Sequence, residues 1–277
     1  MERIKLAIER ARQQAAAAQG SAATLPRVTP LRGPAHPLGP ILPLDRGAAV
    51  DLFPLDEAHL ERNRIVTLQQ DNPLRGCFDL LRTQVLQKMQ EHGWRTIAVT
   101  SPSMQSGKTV VSINLALSIA HHPSKAALLV DFDLRRPQVA TYLGLPARES
   151  LNEVFGGKTE VHKAIVHAGI PGFLVLPTRS KVTGAAEILA SDNVARMIGA
   201  LRDEHPDRVV VIDLPPVTAV DDVIAVLPRV DCVLLVVGNG DSTKREMEET
   251  KRHLARFPLL GVVVNKVPDQ ALAGRYY

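Results

Sequence analysis

From about Asp71 onward, short apolar runs alternate with longer stretches whose apolar positions recur every three or four residues. The runs Trp94–Thr100, Ala126–Asp131, Phe173–Pro177, Val209–Asp213, Val233–Val237 and Leu260–Asn265 read as strands buried on both faces. Between them, Phe78, Leu81, Val85, Leu86 and Met89 fall at helical spacing over 75–90. Val111, Ile113, Leu115, Ala116 and Ile119 do the same after Lys108. Helices are also expected over Asp192–Asp203, Ala219–Leu227 and Thr243–Phe257. This alternation predicts an α/β fold, a parallel sheet flanked by helices on both faces, with chemistry at the strands' carboxyl ends.

Upstream the pattern changes. Ile4, Ile8 and Ala11 share a helical face, Ala15–Ala18 favours a helix, and Gly20 ends it. Pro26, Pro30, Pro34, Pro37, Pro40, Pro43 and Pro54 then interrupt any periodicity, which predicts a stiff, extended linker. The expected organisation is a helix over 1–19, a Pro-rich linker over 20–70, a folded domain over 71–267 and a C-terminal tail over 268–277.

Composition changes this picture only a little. Residues 1–46 carry seven bases against three acids, which accounts for the whole net charge of +4. The folded domain is therefore close to neutral, which argues against a nucleic-acid-binding face. The two cysteines, Cys77 and Cys232, have no ligand or disulfide spacing and are expected as buried small hydrophobes. No apolar run is long enough to cross a bilayer, and the N-terminus lacks a signal peptide's apolar core. A cytoplasmic protein, peripheral at most to the inner face of the plasma membrane, is expected.

Three acidic or phosphate-binding motifs end three of the predicted strands. The first, Ser106-Gly107-Lys108-Thr109, runs from strand to helix in the Walker A manner. Backbone N–H groups of Gln105, Ser106, Gly107, Lys108, Thr109 and Val110 would wrap nucleotide phosphates. Lys108 would neutralise them and the Thr109 hydroxyl would hold Mg²⁺. The loop has Pro102 where this motif starts with glycine, so Gln105 is placed where a phosphate loop usually wants one. The second motif, Asp131-Phe132-Asp133-Leu134-Arg135, sets two carboxylates near a metal or an attacking hydroxyl, with a solvated loop and a helix N-cap as the alternative. The third, Asp213-Leu214-Pro215, offers a Walker B type acid for a metal-bound water. Arg135 and Arg136 would meet phosphate, a neighbouring subunit or a surface acid. Tyr142 reads as structural. Tyr276 and Tyr277 sit on a tail that reaches about 30–35 Å when extended.

Taken with the segments LLRTQVLQKM, GWRTIAVTSP, NLALSIA, LLVDFDLRRP, VVVIDLPPV and LLGVVVNKV, these motifs resemble the bacterial tyrosine kinases of exopolysaccharide and capsule loci. The nearest branch is the soluble autokinases of exosortase-type loci. The resemblance implies a P-loop nucleotide-binding fold and ATP-dependent phosphorylation of a C-terminal tyrosine cluster, here Tyr276 and Tyr277. It gives Lys108, Thr109, Asp133 and Asp213 to ATP and Mg²⁺, and makes Asp131 the acceptor of the tyrosine proton. It also implies a membrane-embedded polysaccharide co-polymerase as activator, a homo-oligomer and a cognate tyrosine phosphatase. A ring-forming Glu-x-x-Arg-x-x-Arg element of related kinases falls on Gly76, Asp79 and Arg82, so only its last arginine is present. Two alternatives stay open. One is a nucleotide-binding scaffold of the export complex. The other is a positioning ATPase, although its second loop lysine would fall on Ser103.

Overall fold

The computed structural model describes residues 53–146, 148–218 and 221–268. The predicted helix 1–19, the linker as far as residue 52, and Tyr276 and Tyr277 lie outside the described residues. Seven strands form one sheet: β1 (Thr96–Thr100), β2 (Ala126–Asp131), β3 (Val166–His167), β4 (Phe173–Leu176), β5 (Arg208–Asp213), β6 (Cys232–Gly238) and β7 (Leu259–Asn265). Their order is β3-β4-β2-β5-β1-β6-β7, parallel throughout except for β3, which runs against β4. The six strands predicted from apolar runs are all present. The two-residue β3 is too short to leave a periodic signal.

Central strands β1 and β5 are buried along their whole length, which is why their sequences are almost unbroken Val, Ile and Ala. Side chains alternate between two cores. On one face Ile97, Val99, Leu129 and Val211 meet Val85 and Met89 of the helix Pro73–His92 and Ile113 and Leu117 of the helix Lys108–Ala120. On the other, Ala98, Leu128, Val210 and Ile212 meet Val194, Met197, Ile198 and Leu201 of the helix Asp192–Asp203. Those four residues fall at i, i+3, i+4 and i+7, one face of a helix. Ser191 caps this helix by accepting the Val194 N–H. Each fully buried Leu or Ile contributes about 1.5–3 kcal/mol.

Helix boundaries follow their punctuation. Asn72 caps and Pro73 opens the helix Pro73–His92, and Gly93 (φ 69°) ends it. Thr243 and Glu246 form a capping box ahead of Lys244–Leu254. Where Ala219–Leu227 was expected, the described helix is Asp222–Val226, followed by a 3₁₀ turn at Leu227–Arg229.

Order begins well before Asp71. A helix at Glu57–Arg62 is capped by Asp56, and Leu60, Ile65, Val66 and Thr67 are buried. The last part of the predicted linker is thus part of the folded domain. Its apolar residues Phe53, Leu55, Leu60, Ile65 and Leu68 keep no single period and gain order by packing into the core.

Cys77 also departs from expectation. It lies exposed on the helix Pro73–His92, whose neighbouring Leu74 and Leu80 are exposed as well. Cys232 is buried as expected, and burial, helped by Asp231, pushes its thiol up to about 12. Iodoacetamide at pH 8 is therefore expected to modify Cys77 alone in the native protein, and Cys232 only after denaturation. Peptide mapping checks this, and native modification of Cys232 would contradict the described packing.

Candidate functional site

The carboxyl ends of β1, β2 and β5 converge, as parallel strands in one sheet must. Asp131 and Asp213 are partners in the register of β2 and β5, so the two acid motifs meet across adjacent strands. The loop after β1 then turns through Gln105 (φ 64°) and Gly107 (φ 83°) into the helix Lys108–Ala120. Gln105 does adopt the left-handed conformation, at a cost on the order of 1–2 kcal/mol for an L residue. Gly107 is required twice over. It has positive φ, and a Cβ there would overlap the Asn265 side chain. Asn265, at the end of β7, donates from Nδ2 to the Ser106 carbonyl at 3.0 Å and so pins the loop. The Ser103 hydroxyl lies 2.9 Å from that of Ser242, a second tie to the loop after β6. The first helical i to i−4 bond runs from Val111 N to Gly107 O at 3.0 Å. The N–H groups of Lys108, Thr109 and Val110 precede it and are open to an anion.

Lys108 Nζ lies 2.8 Å from Asp133 Oδ2 and 3.7 Å from Asp213 Oδ2. The Thr109 hydroxyl donates to Asp213 Oδ2 at 2.7 Å, and Ser112 Oγ lies 2.9 Å from Asp213 Oδ1. Burial alone would lower the Lys108 pKa, but Asp213, Asp133 and Asp131 outweigh it and raise the value, so the ammonium stays charged. Burial also raises Asp213, with Lys108 and Thr109 opposing it. Asp131 is raised well above the carboxylate range, by burial first and then by the charge of Asp213.

A cavity of about 510 Å³ opens above this cluster. Gln105, Gly107, Lys108, Thr109, Val110 and Asp133 line it, and Tyr142 and Arg136 contribute to its wall. Its volume is in the range usual for ligand pockets. Ser106 and Asp213 are buried beneath the lining residues. Asp131 is closed off from the cavity. Its Oδ1 accepts the Asp133 N–H at 3.1 Å and its Oδ2 accepts those of Gln138 and Val139 at 3.2 and 3.1 Å. In this arrangement Asp131 orders the loop that carries Asp133, and it does so fully buried, where the alternative drawn from sequence was a solvated loop.

Arg135 forks onto both oxygens of the fully buried Asp222, at 2.7 and 3.0 Å, while Arg136 reaches Met104. The acid that Arg135 meets is thus buried where a surface one was expected, and Arg135 also lines the cavity. Tyr142, read as structural, packs against the core and also lines the cavity. Ser112, Asn265 and Ser242 were missed by sequence reasoning. Only Ser112 left a signal, one helical turn after Lys108 on the same face.

The donors fit Mg²⁺ in one respect: Thr109 and Asp133 offer hard oxygen atoms at the cavity, with Asp213 directly behind Thr109. Among the described residues no group of three or more His, Cys, Asp or Glu side chains forms a metal cage. Mg²⁺ takes one or two protein oxygens and completes its shell with water and phosphate. Among the described residues, no helix is long and apolar enough to cross a membrane.

No protein-family model matches the chain. It is 30% identical over 232 residues to the tyrosine-protein kinase Etk of Escherichia coli (strain K12), an alignment covering 82% of this chain and 31% of that protein. The chain thus spans about a third of the length of Etk. It is 32% identical over 179 residues to the tyrosine-protein kinase CpsD of Streptococcus pneumoniae serotype 4, covering 62% of this chain and 76% of that one. Among solved structures, the kinase domain of Escherichia coli Etk superposes with a TM-score of 0.66 at 28% identity, covering 78% of this chain and 91% of that domain.

Proposed function

The chain belongs to the bacterial tyrosine-protein kinase family, and on that premise we propose that it is an ATP-dependent protein-tyrosine autokinase acting on Tyr276 and Tyr277. The observation that carries this reading is the cluster of Lys108, Thr109 and Asp133 on the floor of a cavity of about 510 Å³, with Asp213 buried behind them. ATP is the phosphoryl donor. Thr109 and Asp133, with Asp213 behind, would hold Mg²⁺, which would supply charge neutralisation at the phosphates.

The chain's own residues do the rest by positioning and electrostatics, because phosphoryl transfer asks little covalent chemistry of a protein. The N–H groups at the start of the helix Lys108–Ala120 orient the phosphates. Lys108 exchanges Asp133 for phosphate oxygens and carries its full charge there. Asp131 has the raised proton affinity that suits an acceptor of the tyrosine proton. For that role its bond to the Asp133 N–H must give way to the incoming hydroxyl. Arg135, fixed by Asp222, holds the DxD loop against the segment that follows Asp213.

The setting we infer is control of exopolysaccharide polymerisation and export. It includes a membrane-embedded co-polymerase as activator, a homo-oligomer that presents the tail between subunits, and a phosphatase that resets it. These partners rest on the family resemblance. A nucleotide-binding scaffold is the second reading, favoured by the closed Lys108–Asp133 pair.

Phosphopeptide mapping of the full chain after incubation with Mg²⁺-ATP tests the proposal. Label is expected on Tyr276, Tyr277 or both, and a Tyr276→Phe/Tyr277→Phe double variant is expected to lose more than nine-tenths of it, a figure of about tenfold or more. Undiminished labelling of the double variant would move the acceptor elsewhere. Nucleotide binding without any labelling would favour the scaffold.

A further inference from the structure

The segment from Phe53 to Asn72 is bolted to the helix that presents Lys108 and Thr109. Its fixing point is one buried side chain, Asn114. Asn114 Oδ1 accepts the N–H groups of Val66 and Thr67 at 2.8 and 3.2 Å, and the Thr67 hydroxyl lies 2.9 Å from it. Asn114 Nδ2 donates to the carbonyls of Arg64 and Val110, at 3.0 and 2.9 Å. The amide is saturated on both sides. Val110 lines the nucleotide cavity, immediately after Thr109. The same side chain therefore holds the upstream segment and braces the first turn of the phosphate-binding helix.

The segment also touches the other half of the site. His59 Nε2 lies 2.8 Å from the carbonyl of Thr141, on the helix Val139–Leu143. That helix begins at the Val139 N–H accepted by Asp131. Farther upstream, the Phe53 N–H donates to His167 O on the edge strand β3 at 2.9 Å. One continuous piece of chain thus bridges the element bearing Lys108 and the element anchored by Asp131.

We propose that Asn114 is a positioning residue that couples docking of the segment Phe53–Asn72 to nucleotide occupancy. The proposal deepens the nucleotide-site reading and rests on it. Undocking the segment leaves buried donors and acceptors of Asn114 unpaired, so the helix start and the segment hold their places together or shift together. Coupling of this kind is reciprocal. If the docked segment tightens the phosphate loop, bound nucleotide must tighten the docked segment.

Hydrogen exchange measures that reciprocity directly, because the amides of Val66 and Thr67 are the ones bonded to Asn114. In the full chain, saturating Mg²⁺-ADP is expected to slow their exchange about fivefold or more. Thr67→Val, which removes the hydroxyl and keeps the shape, is expected to weaken Mg²⁺-ADP binding about fivefold, the scale of one lost buried hydrogen bond. Met197→Ala, in the core on the opposite face, is the control. It should lower the melting temperature and leave ADP affinity unchanged. Unaltered exchange at Val66 and Thr67 under saturating Mg²⁺-ADP would overturn the coupling, and so would Thr67→Val binding as tightly as wild type. A wild-type chain that binds no Mg²⁺-ADP would overturn the nucleotide site and the coupling with it.

Discussion

Lys108→Ala is expected to abolish phosphoryl transfer, a loss on the order of 10³-fold or more. The ammonium is the one Lys or Arg group that the described residues place within 4 Å of Asp133 and Asp213. In the proposed reaction it is also the charge that meets the phosphates. A neutral methyl group leaves the helix-end N–H groups intact, so weak nucleotide binding is retained while the transition state loses its main cation. The free protein changes as well. Asp133 and Asp213 lose their counter-charge in a buried site, which costs on the order of 3–5 kcal/mol if nothing relaxes.

The sign of the accompanying pH effect follows from the carboxylates. Asp131 and Asp213 have folded-state pKa values above the ordinary 3.8. An acid raised in this way costs stability as pH climbs from its unfolded value through its folded one. Removing Lys108 raises both further, so the variant's loss of melting temperature relative to wild type is expected to be smaller at pH 5 than at pH 7. Thermal melts at the two pH values, beside an ADP titration, check this. A variant that labels like wild type would displace Lys108 from the site.

Asp213→Asn is expected to lower transfer about 10²-fold with the fold intact. Its carboxylate accepts from Thr109 and sits near Ser112, and burial places it behind the cavity instead of in it. The amide is nearly isosteric, and one of the two hydroxyls can turn to accept from it. What is lost is the negative charge that orients Thr109 and any metal-bound water. Removing that charge also relieves Asp131, whose raised proton affinity owes its second-largest cause to Asp213. The apparent Mg²⁺ requirement should rise and the basic shift of Asp131 should shrink. Stability should change by no more than about 1–2 kcal/mol, because a crowded carboxylate is being neutralised. Initial rates against Mg²⁺ concentration, with a melt, test this. A variant with the wild-type Mg²⁺ dependence would mean that Asp213 serves only the packing of β5.

Much of this site was legible because buried parallel strands write themselves as apolar runs, and their polar residues fall where the strands end. Asp131 and Asp213 were found that way, and their pairing in register follows from β2 lying beside β5. Gln105 was singled out because a phosphate loop turns through left-handed residues, and its φ bears that out. What stayed hidden depends on contacts between distant segments. Asn265 is separated from Ser106 by most of the domain, and nothing in the string around either residue records their bond. The apolar residues of the Phe53–Asn72 segment keep no single period, and its docking is specified by one asparagine on another helix. Cys77 failed for a simpler reason. Composition says which residues tend to be buried, and which side of a helix faces out depends on its neighbours.

The most direct measurement is the intact mass of the purified full chain after incubation with Mg²⁺-ATP, beside Lys108→Ala treated in the same way. One or two added phosphates on the wild-type chain, and none on the variant, is the predicted result. Equal phosphate on both proteins would contradict an autokinase centred on Lys108.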